Sequence, residues 1–110
     1  MEIITAKEHS IITPLSPKLD LNETIKLVDE INNLNSPKIG IDLTYVKDCT
    51  SDFFDAISKF GNISLFNISS DIFALLSFMK FDRIVKIYVS KLDFIENKRQ
   101  IINPRLKVLG

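Results

Sequence analysis

The chain has 110 residues, one domain's worth (residues 1–110), and its 14 basic and 14 acidic side chains sum to a formal net charge of zero. That balance gives no reason to expect nucleic acid as a partner, and a 45% hydrophobic content is enough for a packed core without disulfides or metal. One cysteine, Cys49, and one histidine, His9, exclude an internal disulfide and any zinc-ligand spacing, so no cofactor or metal is expected.

The N-terminal MEIITAKEHS lacks the charged start and apolar run of a signal peptide, and no 18-residue apolar stretch is present to insert in a membrane. The expectation is a cytoplasmic protein. The Asn-x-Ser/Thr triplets at Asn22, Asn62 and Asn67 matter only in a secreted protein and are set aside.

Ile3, Ile4, Ile11 and Ile12 lie in two β-prone runs around the polar Lys7 to Ser10, which predicts a hairpin at a sheet edge. Pro14 and Pro17 end it. Asp20, three residues ahead of Glu23, makes a capping-box-like start, and Leu21, Ile25, Val28, Ile31 and Leu34 predict an amphipathic helix that buries this one stripe. Ser36-Pro37 closes the helix, and the apolar run Lys38 to Leu43 reads as a central parallel strand.

Thr50-Ser51-Asp52 then opens a second helix carrying Phe53, Phe54, Ile57 and Phe60, with Gly61 at the expected C-cap. Asn62 to Ile68 predicts a strand, and Ser69-Ser70-Asp71 caps a helix with Ile72, Phe73, Leu75, Leu76 and Met79. Arg83 to Val89 reads as the last strand. Ser90 starts a helix with Leu92, Asp93, Ile95 and Glu96, and residues 101–110 form a tail of uncertain structure. Strands alternating with helices of about ten residues argue for an α/β fold: a mixed sheet of about four to six strands with a mainly parallel core, and about four helices. Loops at the carboxyl ends of such strands gather on one edge, which places Asp48 to Asp52 there.

Several strings together resemble bacterial STAS domains of the anti-sigma factor antagonist type. Pro17-Lys18-Leu19-Asp20 resembles the family's turn before its first helix, Asp42-Leu43 the end of its central strand, and Phe81 to Tyr88 its last strand with the approach to it. The resemblance puts Ser51 on the serine phosphorylated by a partner kinase. Around it Thr50 stands where the family has aspartate, Asp52 where it has a small residue and Phe53 where it has glycine. What the resemblance implies is a non-catalytic regulatory domain in a partner-switching system. Its partner would be an anti-sigma factor serine kinase, bound through Asp48, Thr50, Ser51, Asp52, Phe53 and Asp55.

The residues themselves leave two readings of Thr50 and Ser51 open, helix N-capping and a regulated phosphosite. A phosphate there would meet free N–H groups at the positive end of a helix dipole, typically about 0.3–1 kcal/mol. It would also stand among Asp48, Asp52 and Asp55, where repulsion is about 1 kcal/mol even in water. Adjacent helical positions diverge by about 100°, so one of Phe53 and Phe54 is expected at the surface, where it would suit a protein contact.

Cys49 reads as a small, partly buried apolar residue and His9 as a surface turn residue; neither supplies a base for Ser51. With three glycines in the chain there is no phosphate-binding loop, and no enzyme is expected. The alternative is a phosphorylation-independent scaffold or transporter-regulatory STAS subunit that self-associates as a homodimer. Its apolar tail Ile101 to Leu109, with Leu106 and Val108 alternating around Lys107, would fit strand addition or dimer contacts, or packing on its own sheet. A nucleotide- or small-ligand-binding STAS domain is a third reading, without a site visible in the sequence.

Overall fold

The computed structural model describes residues 1–101 in full and residues 102 and 107–109 as backbone. Strands β1 (Glu2–Thr5) and β2 (Ser10–Thr13) form the expected hairpin, with Ile3 opposite Ile12 and Ile4 opposite Ile11. The short β3 (Lys18–Leu19) leads into α1 (Leu21–Asn33). Asp20 caps this helix: its carboxylate accepts the Glu23 N–H at 3.0 Å, and its carbonyl accepts the Thr24 hydroxyl at 2.7 Å.

The chain continues through β4 (Ile39–Asp42), β5 (Asp48–Cys49), α2 (Ser51–Ser58), β6 (Ile63–Phe66), α3 (Ser70–Phe78), a 3₁₀ turn (Phe81–Arg83), β7 (Lys86–Tyr88), α4 (Lys91–Glu96), β8 (Gln100–Ile102) and β9 (Lys107–Leu109). Among the described residues the main sheet runs β1-β2-β4-β6-β7-β8-β9, and β3 pairs with β5 in a separate two-stranded sheet. Strands β2, β4, β6 and β7 are parallel, while β1, β8 and β9 join antiparallel at the flanks. The α/β fold with a parallel core and four helices is as expected; β8 and β9 extend the sheet.

Alternation along the strands sends Ile12, Ile39, Ile41, Ile63, Leu65 and Ile87 to one face, where they pack with Leu27, Ile31, Phe53, Phe54, Ile57, Ile72 and Leu76 from the first three helices. The other face holds a smaller cluster, in which Phe94 of α4 covers Ile11, Phe66 and Tyr88. A bidentate Arg99–Asp93 pair, 2.9 Å at each bond, ties α4 to the chain entering β8, and that guanidinium, with the Ser90 hydroxyl, holds the Asp93 carboxyl below its ordinary value.

Four expectations need correction. Helix α1 buries Thr24, Leu27 and Ile31 and leaves Leu21 and Ile25 half exposed, because its seat against β3 and α2 rotates it off the most apolar stripe. Thr24 tolerates burial because its hydroxyl is satisfied by the Asp20 carbonyl. Gly61 does not cap α2: the helix ends at Ser58, with the Lys59 and Phe60 N–H groups bonded to Ala56 and Ile57 carbonyls, and Gly61 has no positive φ. Arg83 to Val89 is a strand only over Lys86–Tyr88, because the Ile84 and Val85 N–H groups both turn back to the Phe81 carbonyl. Nor is it the last strand. Of the two readings of the apolar tail, packing on its own sheet is the one found, as β8 and β9, with Leu106 outside the described residues.

Gly40 sits in the middle of β4 for a packing reason. A Cβ there would lie 2.8 Å from Phe66 Cε1 and 2.8 Å from the Phe94 ring, which stack with centroids 5.3 Å apart across this strand. Gly40→Ala is expected to destabilise the fold by about 1–3 kcal/mol through overpacking. Gly61→Ala, with nothing within 4 Å, should be neutral or stabilising by up to about 1 kcal/mol. Denaturant midpoints compare the two directly.

Cys49 is buried in β5, and burial first, then the Asp48 charge, pushes its thiol up to about 12. The folded thiol therefore stays protonated while an unfolded one ionises near 9, so its contribution to stability is complete below pH 9 and is lost as pH rises toward 12. The native protein should resist iodoacetamide at pH 8 and react fully in denaturant. Cys49→Ala should flatten the alkaline fall in stability.

Candidate functional site

The loop bearing Ser51 is fixed from two sides. On one, β5 lies parallel to β3: the Pro17 carbonyl accepts the Lys47 and Asp48 N–H groups at 2.7 and 3.1 Å, and the Leu19 carbonyl accepts the Thr50 N–H at 3.1 Å. Leu19 and Cys49 are buried beneath this pair. On the other side, Asp42 at the end of β4 accepts the Thr44 N–H at 3.0 Å, the Thr44 hydroxyl at 2.5 Å and the Asn67 amide at 3.1 Å. One carboxylate thus ties the exit of β4 to the exit of β6, where Asn67 turns the chain with φ 55°.

Helix α2 begins from this platform. Thr50 is its N-cap residue in extended conformation, and its carbonyl accepts the Phe53 N–H at 3.2 Å. Its hydroxyl makes no capping bond; it leans toward the Leu19 carbonyl at 3.4 Å and the Asp52 carboxylate at 3.5 Å. Ser51 is the first helical residue and is exposed. The N–H groups of Ser51 and Asp52 belong to the first turn, where a helix offers no internal acceptor.

Asp48, Asp52 and Asp55 are exposed around Ser51. Asp48 accepts the N–H of the adjacent Cys49 at 3.0 Å, and Asp55 pairs with Lys59 at 3.5 Å in a solvent-exposed contact worth little to stability. Phe53, expected among the partner-binding residues, is fully buried, as is Phe54. Two faces of α2 are covered, which leaves neither ring at the surface: Phe53 lies edge-on to Phe54 at 5.3 Å, and Phe54 stacks on Phe81 at 5.6 Å. His9 lies in the turn before β2, at the sheet edge opposite Ser51, edge-on to Phe94 at 5.9 Å.

Residues that the sequence pattern had assigned to the core take the surface role instead. Leu21 and Ile25 of α1, with Val28, face Asp52, Asp55 and Ala56 of α2 across a groove of about 280 Å³. Tyr45, 52% exposed, stands on the loop before β5. The signal in the sequence was ambiguous because Leu21-Ile25-Val28 and Thr24-Leu27-Ile31 both satisfy helical spacing.

Among the described residues no helix is long and apolar enough to cross a membrane, and no three His, Cys, Asp or Glu side chains are grouped to hold a metal. No family model and no curated protein matches the chain. Nine chains of solved structures do. One is the crystal structure of a Thermotoga maritima protein provisionally described as an anti-sigma factor antagonist, 22% identical, with a TM-score of 0.71 over 87% of this chain and 92% of that one. At this identity the likeness speaks for the fold: the chain has a STAS-like α/β fold, shared with that Thermotoga maritima structure.

Proposed function

We propose that the chain is a single non-catalytic regulatory domain acting as an anti-sigma factor antagonist. Its partner in this reading is an anti-sigma factor serine kinase, and the docking face consists of Ser51, Asp52, Asp55 and the groove lined by Leu21 and Ile25. One observation carries the reading: an exposed serine at the start of a helix on a fixed loop, beside leucine and isoleucine side chains that the core does not use. The fold likeness to the Thermotoga maritima protein provisionally described as an anti-sigma factor antagonist supports it.

In the unmodified state the partner covers the groove and gains about 25 cal/mol for each Å² of apolar surface removed from water. Its kinase centre moves the γ-phosphoryl group of ATP to the Ser51 Oγ: the new P–O bond forms as the bond from the γ-phosphorus to the β,γ-bridging oxygen breaks, ADP leaves, and a base of the kinase takes the hydroxyl proton. The product carries about −1.5 to −2 charges. The N–H groups of the first turn favour that charge, but Asp48, Asp52 and Asp55 oppose it, and a docked partner strips its water. The phosphorylated face then releases the kinase, which returns to its sigma factor. Asp52 already places a carboxylate beside Ser51, so the unmodified loop holds part of the charge of the modified one.

Incubation with the cognate kinase and ATP should add one phosphate to Ser51 and none to Ser51→Ala; no modification of Ser51 would remove the switch. Ile25→Asp should weaken binding to that kinase by about 30-fold or more, the loss of a central apolar anchor, without changing the circular dichroism spectrum. Asp52→Ser should tighten it. Unchanged affinity in both variants would contradict the proposed face.

A further inference from the structure

A second cavity opens at the amino edge of the sheet, between the end of α2 and the side covered by α4. On the face opposite α1, α2 and α3, the covering helix is α4, six residues long, and its Phe94 reaches only the Ile11, Phe66 and Tyr88 region. Near the amino ends of β4, β6 and β7, at the edge away from Ser51, a space of about 530 Å³ remains. Small-molecule sites commonly run from about 300 to 1,000 Å³.

The chemistry of this space is one-sided. Gly40, Ser64 and Lys86 are neighbours in register, and Lys38 is two residues before Gly40, so both lysines belong to the same face of the sheet. Among the described residues the lining carries these two ammonium groups and no carboxylate. Among the described residues neither lysine has a carboxylate oxygen within 4.0 Å; the ion pairs there are Lys26–Glu23, Lys59–Asp55 and Arg99–Asp93.

Lys38 is held in place. Its ammonium donates to the Phe94 carbonyl and lies 4.3 Å from the Phe94 ring centroid and 5.4 Å from that of Tyr88. These partners are neutral and use one of its three protons. Burial, then the charge of Lys86, lower its pKa from the ordinary lysine value, the condition that a nearby anion relieves. Tyr88 donates its hydroxyl to the Asn97 side-chain oxygen, which leaves the Asn97 amide as a further donor in the lining. Phe60, Ile84 and Val85 supply an apolar wall, and Ile84 is 60% exposed.

We propose that this cavity binds a small organic anion, a phosphate or carboxylate bearing an apolar group. The oxyanion lies between Lys38 and Lys86, and the apolar group rests on Phe60, Ile84 and Val85. The site is separate from the Ser51 face and needs no phosphorylation of it.

The test is an NMR titration of the full chain with phenyl phosphate, with benzoate, and with benzyl alcohol as neutral probe, followed at backbone amides and lysine side chains. The expected result is saturable shifts at Lys38, Lys86 and Ser64 with at least one anion and none with benzyl alcohol. Which anion binds more tightly assigns the head group. Lys86 is exposed and outside the core, so Lys86→Gln should fold normally and weaken binding about tenfold, while Lys86→Arg retains it. Absence of saturable shifts with both anions, an equal response to benzyl alcohol, or an anion affinity unchanged in Lys86→Gln would overturn the proposal.

Discussion

The parallel contact between β3 and β5 is the constraint on which the candidate face depends. It consists of two residues on each side, yet it joins the segment before α1 to the segment before α2. Three N–H groups, of Lys47, Asp48 and Thr50, go to the Pro17 and Leu19 carbonyls. Without these bonds the stretch between β4 and α2 would carry unpaired backbone groups beside a buried Leu19 and Cys49, a costly arrangement. With them, Ser51 is presented at a set position, and α1 is brought against α2 so that Leu21 and Ile25 border the same helix turn. Position of the serine and shape of the groove follow from one contact.

The sheet divides the molecule into two unequal halves. Three helices and most of the large apolar side chains lie on one face, and there the packing is closed enough to bury both Phe53 and Phe54. The other face relies on α4 and on the stacking of Phe94 with Phe66, for which Gly40 must lack a side chain. At the amino ends of the strands, Lys38 and Lys86 line one cavity. The two ends of the parallel strands thus differ in chemistry: carboxylates around Ser51 at one, ammonium groups at the other.

Much of the fold was legible in the sequence because the strands are isoleucine-rich runs bounded by Pro, Ser and Asn, and the helices begin with Asp20, Ser69 and Ser90, each of which accepts a capping bond in the structure. The β3–β5 pair was not legible, since two-residue strands carry no periodicity. The rotation of α1 escaped for a different reason: hydrophobicity favours Leu21 and Ile25 over Thr24, but burial is decided by which face meets β3 and α2. The burial of both Phe53 and Phe54 is not visible in the sequence, because a helical wheel separates positions without telling how many sides are covered. Of the site, the residues alone located an N-cap at Thr50-Ser51. Singling out Ser51 rested on family resemblance, and Asp42's three hydrogen bonds became visible only once β4 and β6 were paired.

Native-state amide hydrogen exchange of the free protein measures the β3–β5 contact most directly. The Lys47, Asp48 and Thr50 amides are expected to be protected together, close to the amides of β4, while those of Ser51 and Asp52 exchange rapidly. Exchange of Lys47, Asp48 and Thr50 at the rate of Ser51 would show that the loop is not held by this contact, and would contradict a preformed face.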